Sequence, residues 1–128
     1  MKKTLVLSLA VMFLLAACMK DKKETVSLLK KWTIENIVEK EYQNGTLIDT
    51  YNEPGDGATM DFQDNGHLVV IYPGNTNESL SYNMLPDTKV DIDGDIFEIR
   101  NLTASGVTLF TMEDLGSWRY ETFINLKR

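Results

Sequence analysis

Beyond Lys31 the chain alternates between apolar and polar side chains in short runs separated by turn residues. Ala58, Met60 and Phe62 alternate with Thr59, Asp61 and Gln63, and Leu80, Tyr82 and Met84 alternate with Ser81 and Asn83. A period of two places each apolar set on one face of a half-buried strand. Trp32, Ile34, Ile37 and Val38 mark a first strand, with a change of phase that predicts a bulge. Residues 47–51, 67–72, 89–92, 96–102 and 107–112 read as further strands. The last, over 117–126, puts Trp118, Tyr120, Thr122, Ile124 and Leu126 on one face.

The punctuation fits this reading. Asn44-Gly45 and Asp93-Gly94 are hairpin turns, because both pairs tolerate the positive φ angles that tight hairpins require. Pro54, Gly55 and Gly57 mark a loop, and Pro86 ends a strand because it cannot donate to a ladder. A brief helical pattern, Thr25 as cap with Val26, Leu28 and Leu29 on one side, predicts a short N-terminal helix. The expected fold is all-β: an antiparallel up-and-down barrel of about eight to nine short strands, with a β-sandwich as the alternative.

The N-terminus has a different pattern. Met1-Lys2-Lys3 precedes an apolar run over residues 4–17, which is shorter than the roughly 20 residues a membrane-spanning helix needs. The run ends at Leu15-Ala16-Ala17-Cys18, and Cys18 is the only cysteine of the chain. A basic start, an apolar stretch and small residues before a cleavage site describe a secretory signal. No internal disulfide can form from one cysteine. The four residues resemble a bacterial lipobox. That resemblance implies lipidation of Cys18, cleavage before it and acylation of the new N-terminus. Three segments follow: a lipoprotein signal peptide over 1–17, a lipidated tether over 18–24 and a barrel domain over 25–128. The expected address is the bacterial envelope, anchored by lipid. Met19 stands where some lipoproteins carry an inner-membrane-retaining aspartate, which points to the outer membrane.

Charge narrows the partners. The whole chain carries a net charge of −6; loss of residues 1–17 takes Lys2 and Lys3 and no acid, leaving −8. An acidic domain repels phosphate backbones, so nucleic acid is not expected as a partner. It also repels anionic lipid, so acyl chains rather than a basic face would hold the domain at a membrane.

A family resemblance rests on a series of positions. These are Trp32-x-Ile34, Met60-Asp61-Phe62 followed by Asp64-Asn65-Gly66, Tyr82, Ile92-Asp93-Gly94-Asp95, Ile99-x-x-Leu102-Thr103, Leu109 and the closing residues 123–128. In this order they resemble the lipocalin-like lipoproteins common in Bacteroidetes, over roughly residues 29–128. Lys30-Lys31-Trp32 stands where lipocalins usually carry Gly-x-Trp. The resemblance implies a fold more firmly than an activity.

Candidate chemistry is sparse. His67 is the only histidine, which excludes a multi-histidine metal site within one chain, and it sits beside the turn glycine Gly66. Residues 91–95 hold three aspartates, but glycine at the fourth position and Leu102 at the twelfth fail the EF-hand pattern, so a turn is expected rather than a metal site. No catalytic set and no cofactor motif stand out, and a non-catalytic protein is the expectation. The apolar face formed by Trp32, Ile34, Met60, Phe62, Tyr82, Leu109, Trp118 and Tyr120 would line the interior. If that interior is open, it binds a small apolar or amphipathic ligand; if filled, these residues are core. The alternative is an envelope accessory protein that docks a protein partner through loops or outer face, with Ile48, Val69, Ile71, Phe110, Met112 and Phe123 as the residues to watch.

Overall fold

The computed structural model describes residues 27–128 and contains nine strands. They are β1 (Lys31–Gln43), β2 (Thr46–Pro54), β3 (Thr59–Phe62), β4 (His67–Ile71), β5 (Glu78–Leu85), β6 (Lys89–Ile92), β7 (Asp95–Arg100), β8 (Gly106–Leu115) and β9 (Trp118–Lys127). All neighbours pair antiparallel in the order β2-β1-β3-β4-β5-β6-β7-β8-β9, and β1 also pairs with β9. That last pairing closes eight strands into a barrel and leaves β2 as an extra strand outside it.

The expectation of an all-β up-and-down barrel is met, and the sandwich alternative is not. The short N-terminal helix is corrected in part: residues 27–30 are not helical, and Thr25 and Val26 lie outside the described residues, as do Cys18 and the expected signal and tether. In place of a helical turn, the amide of Lys30 donates to the carbonyl of Leu28 at 2.8 Å, and the carbonyl of Lys30 accepts from Phe62 at 3.0 Å. The segment therefore folds back across one end of the barrel.

The 13-residue β1 organises the molecule, because its partner on one edge changes halfway along. Lys31, Trp32 and Thr33 pair with β3, whereas the stretch from Asn36 to Gln43 pairs with β2. On its other edge β1 pairs with β9 along nearly its whole length. The change of partner coincides with a bulge between Ile34 and Asn36 in the β1–β9 register. There the Glu35 carbonyl accepts from the Gly55 amide at 3.1 Å, and the Ile34 amide donates to the Ala58 carbonyl at 2.9 Å. The bulge also shifts the inward set from Trp32 and Ile34 to Ile37, as a bulge must when alternation has a period of two.

Past this point β2, the distal part of β1, β9 and the distal part of β8 leave the barrel together as a four-stranded flange. An amide and hydroxyl ladder crosses its base: Asn36 donates to Asn52 at 3.1 Å, Asn125 donates to Asn36 at 2.9 Å, and Thr108 donates to Asn125 at 2.8 Å. At its tip the Asn44 amide of one hairpin donates to the Ser117 carbonyl of the other at 2.8 Å.

The core is apolar throughout. Trp32, Leu68, Val90 and Leu109 have no exposed surface, and Leu28 and Phe62 are almost as deeply buried. No polar or charged residue is buried among the described residues. Phe62 and Tyr82 meet edge to face, with centroids 5.2 Å apart at 85°. The Tyr82 hydroxyl leaves this cluster by donating to the Gln63 carbonyl. Leu28 closes the end of the barrel at which the chain enters.

Candidate barrel-mouth site

The opposite end of the barrel is open. Seven of its eight strands send a side chain toward a pocket of about 310 Å³. Ile34, Ile37, Met60, Val70, Leu80, Ile92, Phe97 and Ile124 make an apolar floor and wall; Tyr72, Glu78, Asp93 and Asp95 form the rim. The size lies at the lower end of the range for small-molecule sites, and an apolar floor with a few polar rim groups is their usual composition.

The pocket continues onto the inner face of the flange. Asp95 and Phe97 also line a second concavity with Thr111, Glu113, Tyr120 and Thr122. Glu113, Tyr120 and Thr122 in turn line a third, with Glu39, Glu41 and Tyr51. The register explains this continuity. Ile37 pairs with Ile124, Glu39 with Thr122 and Glu41 with Tyr120, while Tyr120 pairs with Glu113 and Glu39 with Tyr51. All therefore lie on the face that continues the barrel interior. The result is one trough, apolar at the mouth and acidic and aromatic toward the tip.

The eight residues expected to line an interior are divided by this geometry. Ile34 and Met60 line the mouth pocket. Trp32, Phe62, Leu109 and Tyr82 lie in the packed core, none more than 5 % exposed. Trp118 and Tyr120 leave the barrel altogether. Tyr120 is 38 % exposed and lines the trough, and its ring stacks on that of Trp118 at 6.5 Å and 8°. Placing Trp118 in the core is thus corrected: it shares a face with Leu126 as the alternation predicts, but β9 continues past the barrel rim. Ile37, Leu80 and Phe97, absent from the expected lining set, complete the mouth together with Ile124, which lies on the expected inward face of the last strand. Their alternation marks them as inward, but alternation carries no information on which inward residues lie near an open end.

The turn reading of residues 91–95 holds. Ile92 pairs with Asp95, Asp93 and Gly94 have φ of 53° and 96°, and the Gly94 amide donates to Asp91 Oδ1 at 2.8 Å. His67 is exposed at the start of β4, its amide bonded to Asn65 Oδ1 at 3.1 Å.

The outer face of the flange is a self-contained ladder. Phe110 and Phe123 pair at 5.0 Å. The Arg100 guanidinium lies 3.7 Å from the Phe110 centroid, and the Lys40 ammonium 5.3 Å from that of Phe123. The same Arg100 bonds Glu98 at 3.1 Å and holds its carboxyl below the usual range. Among the residues watched for outward docking, Phe110, Phe123, Val69 and Ile71 are therefore half-buried, whereas Ile48 and Met112 are exposed.

No protein-family model and no curated protein matches this sequence.

Proposed function

We propose that this chain is a lipid-anchored, non-catalytic protein of a bacterial envelope whose barrel takes a small apolar or amphipathic molecule at its mouth. The observation that carries the ligand reading is the open apolar pocket of about 310 Å³ above a fully packed core. A filled lower half gives the barrel rigidity, and a mouth left open by the same fold supplies a preformed site. The anchor rests on Leu15-Ala16-Ala17-Cys18 and on Cys18 being the sole cysteine. Affiliation with the lipocalin-like lipoproteins rests on the residue series above together with the closed antiparallel barrel. Outer-membrane residence rests on Met19.

Native mass spectrometry of the protein purified from its own envelope tests the ligand reading. A bound small molecule, lost when Leu80→Arg fills the mouth, is the expected result; an unliganded barrel that takes up no apolar probe refutes it. Cys18→Ser tests the anchor, and the variant should leave the membrane fraction or remain uncleaved.

A second reading, docking of an envelope protein, is supported by β2. All nine of its residues are exposed, Leu47, Ile48 and Tyr51 among them, and its outer edge has no strand partner among the described residues. Such an edge is a template for an added strand. Hydrogen exchange in the presence of envelope extract distinguishes the two: protection of β2 favours docking, and protection around Leu80 and Phe97 favours a ligand.

A further inference from the structure

We propose that the ligand of the mouth is an amphipathic cation, its apolar part seated in the barrel and its positive charge held along the trough of the flange. The inference rests on the mouth reading above and adds the class of ligand.

The charge of the lining is of one sign. The mouth pocket is rimmed by Glu78, Asp93 and Asp95, and none of its described lining residues is a lysine or arginine. The continuation adds Glu113, Glu39 and Glu41, with Lys40 as its one basic lining residue among those described. The Lys40 ammonium, however, sits over Phe123 on the outer face, directed away from the trough. The two ion pairs among the described residues use Glu98 and Glu121, so none of these six carboxylates is neutralised by a described side chain. Carboxylates above a low-dielectric wall concentrate positive charge and repel anions.

Two further features select an organic cation over a metal ion. Among the described residues no three acidic, histidine or cysteine side chains converge as a metal would need. The acids are instead spread beside aromatic rings, Tyr120 and Tyr51, whose faces suit a diffuse ammonium. The apolar end is formed by Ile37, Leu80, Phe97 and Ile124, at the same mouth as Asp93 and Asp95. Apolar and cationic moieties must therefore belong to one molecule to use the whole trough.

Three probes of equal tail length separate this inference from the reading beneath it: hexyltrimethylammonium, hexanesulfonate and hexyl glucoside. They are titrated by calorimetry against the full-length lipidated protein in phosphatidylcholine nanodiscs, with empty nanodiscs as blank. The cation should bind about tenfold or more tightly than the uncharged glucoside, and the anion more weakly than either, as expected for attraction and repulsion by carboxylates near a surface of effective dielectric about 20. Binding of the cation should weaken with salt and shift the tryptophan emission, a shift absent from Trp118→Phe, which keeps only the buried Trp32. Glu39→Gln combined with Glu113→Gln, both outside the packed core, should remove most of that preference while leaving the circular dichroism spectrum unchanged. Equal binding of all three probes would overturn the cation assignment and leave the mouth reading standing. Binding of none would overturn both.

Discussion

The indole N–H of Trp32 donates to the carbonyl of Leu28, four residues earlier, at 3.0 Å in a buried setting. This bond fastens the entering chain over the closed end of the barrel and satisfies the one polar atom of a side chain that is otherwise wholly in the core. Lys30 adds its ammonium at 5.6 Å from the ring centroid. Trp32 is thus a structural residue, and the other tryptophan, on the flange, is not.

Truncating the two tryptophans should separate them. Trp32→Ala removes a buried aromatic and the indole bond to the Leu28 carbonyl, which keeps only the Lys30 amide as donor, with an expected cost of about 3–5 kcal/mol. Trp118→Ala loses a partly exposed stack on Tyr120, with an expected cost of about 1 kcal/mol. Urea titrations of both variants check this, and equal midpoints would contradict the division between barrel and flange.

Gly55 has no room for a side chain. A Cβ there would overlap the carbonyl oxygen of Ile34, which is backbone and cannot swing aside. Gly55→Ala must therefore push β2 away from the bulge in β1, at an expected cost of about 3 kcal/mol, the upper end of overpacking penalties. Gly74 has a positive φ, +79°, but nothing within 4 Å of a Cβ. Gly74→Ala should cost only about 1 kcal/mol, the strain of the left-handed conformation. Thermal melts of the pair measure the difference.

Alkaline pH should destabilise the fold through Tyr82. Burial raises its phenol above the ordinary tyrosine value, and Asp64 and Asp61 add to the shift. In the unfolded chain the same phenol ionises near pH ~10. The stabilisation is therefore complete below that value and is lost as pH rises through the folded-state value. Tyr42, beside Glu121, and Tyr51, beside Asp49, shift in the same direction at the surface. Stability measured across the alkaline range should fall, and Tyr82→Phe should flatten that fall while losing the hydrogen bond to Gln63.

Asp93 occupies the first central position of a two-residue hairpin with φ of 53°. An asparagine side chain suits this geometry at least as well, so Asp93→Asn should change stability by less than about 0.5 kcal/mol. Asp93→Val forces a β-branched residue into the same conformation and should cost about 1–2 kcal/mol. Melting temperatures of the two variants decide the point, and a large loss in Asp93→Asn would mean that the carboxylate holds more than a turn.

The strands and their turns are legible in the sequence because their causes are local. Alternation at Ala58, Met60 and Phe62 needs only the pleat of one strand, and Asn44-Gly45 needs only its own backbone to make a hairpin. The bulge in β1 is visible for the same reason, as a break in phase between Ile34 and Ile37. The ligand-lining set is legible only in part, because a period of two tells which face a residue occupies and not how far along the barrel it lies.

Depth depends on pairing between residues far apart in the chain. Trp118, Tyr120, Ile124 and Leu126 share one face of β9 and are indistinguishable by pattern. Leu126 is in the core because Ile34 and Val107 flank it, whereas Trp118 is in the flange because Gln43 and Leu115 flank it. The exchange of β3 for β2 beside β1, made possible at Gly55, ends the barrel there and starts the flange. Strands, turns and inward faces thus follow from residues a few positions apart. Where the barrel closes, where it opens and which acidic side chains lie along its mouth follow only from contacts that span the chain.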